Sequence, residues 1–341
     1  MKFKWLLLVA LFVLPHISFA QQTGADSAAR LIDTVLSYAK KNSIYRSKVN
    51  WQTLEDSVRG RAKDAAGVKE AMPALQLMYK MLGDFHGAAH YNGNTYKWDV
   101  VKNKVDREKY KALIAKFRPW PPKIEIHVLQ DGYGYLLIPP NNPTHNGETE
   151  EIAGQIQDSL ARLNPAKLKG LVIDLRLNTG GTLWPMLLGV GNLLSKGTLG
   201  TFVYPDATMN QTWEIKDTAI YCGNERPCTI RGFAKVNPKI KIALLTSPYT
   251  ASSGEATVIS FKGQNNARVI GDITGGYTTS NDSFQFYGVD IFMATSVEAD
   301  RNGIVYYENV QPDLEVIAGD NFTDLSKDEK IIAALKWMKG K

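Results

Sequence analysis

The sequence is poor in cysteine, with two in 341 residues, Cys222 and Cys228. Two thiols without a nearby histidine fall short of a zinc-ligand set, so no metal is expected. Long basic runs are missing too. The net charge is +6 and the lysines are scattered, which argues against a nucleic-acid partner. No internal repeat is visible. After residue 20 no apolar run is long enough to cross a bilayer. With 44% hydrophobic and 22% charged residues, the composition excludes a disordered chain. The length allows two to three domains of about 100–200 residues each.

The long apolar run that is present lies at the start. Lys2 and Lys4 precede Trp5–Leu14, and Ser18-Phe19-Ala20 supplies small residues at cleavage positions. This pattern is that of a secretory signal peptide over residues 1–20, cut after about Ala20. No cysteine sits at the cut, so neither a lipid nor a membrane anchor is expected after cleavage. The protein is expected in the periplasm or outside the cell. In that oxidising setting Cys222 and Cys228, bracketing Gly-Asn-Glu-Arg-Pro, are expected to close a small disulfide loop.

Residues 21–90 read as a small helical domain. Leu31, Ile32, Val35, Leu36 and Ala39 have helical spacing, Asn50 is placed to cap a second helix, and a third runs from about Val68 to Leu82 and stops at Gly83. Its exit loop carries His86 and His90. Residues 91–123, with a short helix near Asp106–Phe117 and the stiff Pro119-Trp120-Pro121-Pro122, read as a linker. Residues 124–341 then alternate strands and helices, which predicts an α/β domain. Leu171–Leu175 is continuously apolar, as in a strand buried on both faces. In such sheets ligands bind beyond the strand C-termini. Two of those ends carry unusual loops, Gly180-Gly181 and Ser252-Ser253.

The stretch Ile242–Thr257 reads as a buried strand, a Pro-Tyr-Thr turn and two serines opening a helix. A hydroxyl there sits in the positive field of a helix N-terminus, beside N–H groups able to receive an oxyanion. The same residues also suit plain N-capping. The Gly180-Gly181 pair would let backbone N–H groups approach a ligand closely, although such pairs are often simple turns. Asp174 and Arg176 read as a buried ion pair holding that loop.

Four motifs in order resemble peptidase family S41, which includes the C-terminal processing proteases and the tricorn core protease. They are Asp174–Gly181, Thr250–Glu255, Val269–Gly276 and Val310–Val316. The resemblance implies a crotonase/ClpP-like β/α spiral catalytic domain after the N-terminal helices, acting on a peptide or protein substrate without a cofactor. It assigns the nucleophile to Ser252, with the N–H of Ser253 and of Gly180 or Gly181 as the oxyanion hole. The family lysine is absent, since Tyr277 stands at its position in Thr274–Tyr277. The tricorn-like solution remains, with His86 as base and Glu308 as the third member. His90 and His145 stand in reserve. Phe85 replaces the tricorn helper serine, and the segment between His90 and Lys123 is too short for the PDZ domain common in the family. The alternative is a catalytically inactive protein on this scaffold that binds peptides or small apolar ligands. The oligomeric state is not legible.

Overall fold

A computed structural model describes residues 24–100, 102, 105–118 and 120–340. The expected signal peptide lies outside the described residues. Three helices come first, α1 (Gly24–Asn42), α2 (Trp51–Ala62) and α3 (Val68–Leu82). The Asn50 side chain accepts from Thr53 N–H at 3.1 Å, capping α2 as expected. Gly83, at φ 76°, ends α3 in the left-handed conformation that glycine adopts without strain.

The chain then forms two strands within the stretch read as loop and linker, β1 (Ala88–Tyr91) and β2 (Asn94–Lys97), and the short helix α4 (Lys111–Lys116). The core follows as β3 (Glu125–Leu129), β4 (Tyr133–Leu137), α5 (Glu148–Arg162), β5 (Gly170–Asp174), α6 (Leu183–Gly189) and β6 (Thr198–Val203). After these come the antiparallel strands β7 (Gln211–Lys216), β8 (Ala219–Cys222) and β9 (Glu225–Thr229), then β10 (Lys241–Thr246) and α7 (Ser253–Phe261). The chain closes with β11 (Ala267–Gly271), β12 (Thr279–Phe286), β13 (Val289–Asp300), β14 (Val305–Tyr306), β15 (Leu314–Glu315) and α8 (Glu329–Met338). This is the mixed α/β fold with N-terminal helices that the sequence predicts.

Two sheets carry it. One has the order β15-β11-β10-β5-β4-β3, parallel except at the β3–β4 hairpin. Its central strands β5 and β10 are apolar between their end residues because both faces are covered. Leu171, Ile173, Ile242 and Leu244 face a core shared with α5, α6 and α7. Val172, Ala243 and Leu245 face one shared with α4 and α8. The other sheet runs β2-β1-β13-β6-β7-β8-β9, and β12 and β14 also pair with the long strand β13. Apolar residues of α1–α3 share one cluster with Val289, Ile291 and Met293 of β13. The helical segment is therefore sealed onto the same strand that lines the site.

Arg176 holds the end of β5. It is fully buried, and its guanidinium reaches Asp174 at 2.6 Å, Asp320 at 2.6 Å and Asp328 at 2.7 Å. Lys330 adds a second buried cation against Asp320 at 3.1 Å. Removing Arg176 strands Asp174 and Asp328 without their cation and leaves Asp320 to Lys330. Arg176→Met is expected to cost about 3–5 kcal/mol of stability, read as a lower urea midpoint at unchanged slope. A loss within about 0.5 kcal/mol, the range of an ordinary surface change, would show that the three carboxylates do not depend on this cation.

The disulfide expected from the sequence is not formed. Cys222 and Cys228 are free, buried thiols. In the β8–β9 register Cys228 faces Ile220 and Cys222 faces Glu225, so the two cysteines are offset along the ladder rather than opposed. Each Sγ has its own neighbour, Gln211 Oε1 at 3.4 Å and the Thr149 carbonyl at 3.7 Å. Burial pushes both thiols up to about 12, which leaves them as unreactive core residues.

Candidate active site

The site is built where β10 and β5 end. Beyond β10 the chain is pinned to the end of β5: Ser247 Oγ donates to the Arg176 carbonyl at 2.7 Å and Thr250 Oγ1 to that of Leu175 at 2.9 Å. Ala251 N–H donates to the Asn178 carbonyl at 3.0 Å. These anchors force a sharp turn at Ser252, whose backbone sits at φ 54°, ψ −125° just before α7. A non-glycine residue in that region is strained, and such strain persists only where the surroundings impose it.

Glu255 supplies much of that imposition. It is buried one turn into α7, and its Oε2 accepts from Ser252 N–H at 3.0 Å and Tyr277 N–H at 2.6 Å. Its Oε1 accepts from Gly276 N–H at 2.8 Å and from the Thr274 hydroxyl. Burial pushes the carboxyl up to about 7, against four donors that each favour the charged form. The spacing of three between Ser252 and Glu255 is that of a capping box, a legible signal for this contact.

The glycine pair fits against this turn. Gly180 has φ 109°, and a Cβ on it would come within 2.7 Å of Ser252 Cβ. Gly181 has φ 112°, and a Cβ there would overlap the Asn141 carbonyl oxygen, 1.6 Å away. Both positions need glycine on two independent counts. Gly180 N–H is used by Asn178 Oδ1 at 3.0 Å. Among the described residues the N–H groups of Gly181 and Ser253 have no protein acceptor. Ser253 Oγ donates to the Gly181 carbonyl at 2.5 Å, joining the two segments.

His86 arrives from the loop after α3. Buried Asp84 orders that loop by accepting from His86 N–H at 3.1 Å, Gly87 N–H at 2.6 Å and Ala294 N–H of β13 at 3.1 Å. The imidazole Nδ1 lies 2.7 Å from Thr279 Oγ1 on β12, and Tyr277 packs edge-on against the ring at 5.3 Å. His86, Ser252 and Ser253 line one cavity of about 550 Å³, with Gly181 at its wall. Burial first, then the nearby Lys102 charge, pushes the imidazole down to about 4. It is therefore neutral near pH 7.

Other expected residues fall elsewhere. Glu308 is exposed and is not part of the cavity wall. Its charge faces Lys102, whose ammonium donates to the Gly276 carbonyl and lies 3.8 Å from the Phe85 ring centre. The buried carboxylate in the cavity wall is Glu298 of β13. His90 pairs with Thr95 Oγ1 at 2.9 Å on the β1–β2 hairpin, and His145 is exposed. Tyr277, at the family's lysine position, is half-buried with its hydroxyl pushed above the ordinary range by burial and by Glu255, which unfits it as a base. Among the described residues no lysine lines the cavity. A larger groove of about 1220 Å³ runs along Trp120–Ile124 and α5, and meets the cavity at Asn142. Thr279 and Glu298 carry no sequence signal, because each is defined by a partner or cavity far away in the chain.

A strained serine at a strand-to-helix turn, sharing a cavity with a neutral imidazole, is the arrangement of a serine hydrolase. The chain belongs to peptidase family S41, whose profile matches residues 132–316. It is therefore a serine peptidase of that family, and peptides or proteins are its substrate class. Over 291 residues, 85% of this chain and 83% of the relative, it is 25% identical to the nisin-resistance protein of Lactococcus lactis subsp. lactis. A lipoprotein from Streptococcus agalactiae matches 92% of this chain and 96% of its own, with a TM-score of 0.68 at 21% identity. The photosystem II D1 C-terminal processing protease matches 88% and 96%, with a TM-score of 0.58 at 14% identity. At these identities the structural likeness concerns the fold.

Proposed function

We propose that this protein cleaves peptide bonds outside the cytoplasm with Ser252 as nucleophile and His86 as general base. The observation that carries this reading is the shared cavity of His86 and the strained Ser252 turn. The role requires the tautomer in which Nδ1–H of His86 donates to Thr279 Oγ1, 2.7 Å away, which leaves the Nε2 lone pair for the serine proton. Ser252 Oγ attacks the scissile carbonyl as its proton passes to His86. The oxygen that becomes negative is held by the N–H groups of Gly181 and Ser253, and Gly180 serves as the close-packed neighbour. His86 then protonates the leaving amine, and water hydrolyses the acyl-enzyme by the same steps in reverse order. Thr279 takes the orienting place expected of Glu308. The apolar run at residues 5–14 supports export.

A fluorophosphonate probe tests the nucleophile. Wild type is expected to be labelled once, and Ser252→Ala not at all. Equal labelling of the two would move the nucleophile elsewhere, and none in either would favour a binding protein on this scaffold. The pH profile tests the base. Activity requires neutral His86, so kcat/KM falls as pH drops through its folded-state value near 4. The acid limb is thus expected well below 6.5, the ordinary value for histidine. A limb at 6.5 or above would show that a different, solvated group is titrating.

A further inference from the structure

We infer that the cavity beside Ser252 is a subsite for a positively charged group of the substrate, gripped by Glu298 with Asp282 and Glu225 around it. This rests on the peptidase reading above and adds a substrate class to it. Glu298 is 3% exposed, stands in the cavity wall, and among the described residues its Oε2 has no hydrogen-bond partner. A buried carboxylate oxygen without a donor calls for one from a ligand, because desolvation is otherwise uncompensated. Burial, with Glu255 nearby, pushes this carboxyl well above the usual range, the condition a cation placed against it would relieve.

The neighbouring groups agree. Among the described residues Asp282 of β12 accepts from neutral side-chain donors alone, the Tyr38 hydroxyl at 3.3 Å and the Tyr204 hydroxyl at 3.5 Å. Glu225 stands exposed at the rim. Among the described residues none of the three acids forms an ion pair, and no lysine or arginine lines the cavity. Lys41 and Arg46 line a separate small pocket behind Asp282, and Lys102 sits against Phe85 and Tyr277. An acid-only wall stands out in a chain with 40 lysines and arginines and a net charge of +6. The overall field favours acidic peptides, so a preference for basic ones must arise locally. Trp184 and Phe202 offer apolar surface for the methylene stem of a lysine or arginine.

The experiment uses full-length Ser252→Ala protein and fluorescein-labelled peptides that differ at one scanned position among lysine, arginine, norleucine and glutamate. A second pair differs only in a free or acetylated N-terminus. By anisotropy, lysine or arginine at one position, or the free N-terminus, is expected to bind about 10-fold tighter than its neutral counterpart. Adding Glu298→Gln, nearly isosteric, is expected to bring that ratio to within about 3-fold, and Asp282→Asn gives the same readout if that variant misfolds. Equal binding of all peptides, preference for glutamate, or a ratio untouched by both variants would overturn the inference. Cleavage of the same peptides by wild type is scored separately. Its absence would count against the peptidase reading while the binding ratio still decides the subsite.

Discussion

Ser252→Ala is expected to lower kcat/KM on any cleaved peptide by at least about 10⁴-fold, with the fold intact. The change removes a single oxygen at a half-buried position. The backbone anchors of Ser252, the Glu255 carboxylate and the Asn178 carbonyl next door, do not involve its side chain. Stability should therefore hold or rise slightly while turnover disappears. Ser253→Ala is the control. It removes only the hydroxyl that donates to the Gly181 carbonyl and keeps the N–H, so it should retain far more activity. If the two variants lost activity equally, the choice of Ser252 over its neighbour would be wrong.

His86→Ala is expected to reduce kcat/KM by about 10²–10⁴-fold, the range for a general base. The loss should fall on kcat, because in the proposed mechanism the imidazole acts on the serine proton rather than on substrate binding. In the Ser252→Ala background the same change should add almost nothing, since a base without its nucleophile has no task. Peptide turnover by the single and double variants measures this directly. Near-normal turnover of His86→Ala would assign proton transfer to a group other than this imidazole.

Sequence reasoning reached the parts of the site that local chemistry dictates. Gly180 and Gly181 are legible because a side chain at either would strike Ser252 or Asn141. The buried strands β5 and β10 are legible because both their faces are covered, which removes polar alternation. His86 came from its motif, and the structure places it in the wall of the cavity that Ser252 also lines. What stayed hidden depends on contacts between distant segments. Thr279 meets His86 across 193 positions, and Glu298 is defined by the cavity it faces. Glu308 resembles a catalytic carboxylate in its motif, yet it is exposed and lies outside the residues that line the cavity. The cysteine pair suggested a disulfide by its short loop and the oxidising setting, and the offset of the β8–β9 ladder separates the thiols. Strands β7–β9 escaped notice because their polar, mixed sequence pairs in hairpins, away from the apolar parallel sheet.

The hydrogen bond from Ser253 Oγ to the Gly181 carbonyl has a consequence for how a substrate is received. It rivets the start of α7 to a loop 72 positions earlier, and the bridge between Asn141 and Gly181 fixes that loop from its far side. The two free N–H groups therefore keep their separation in the empty enzyme. In the proposed mechanism an arriving carbonyl would meet a polarising field whose dipoles were aligned when the chain folded, so little reorganisation would remain for the moment of attack.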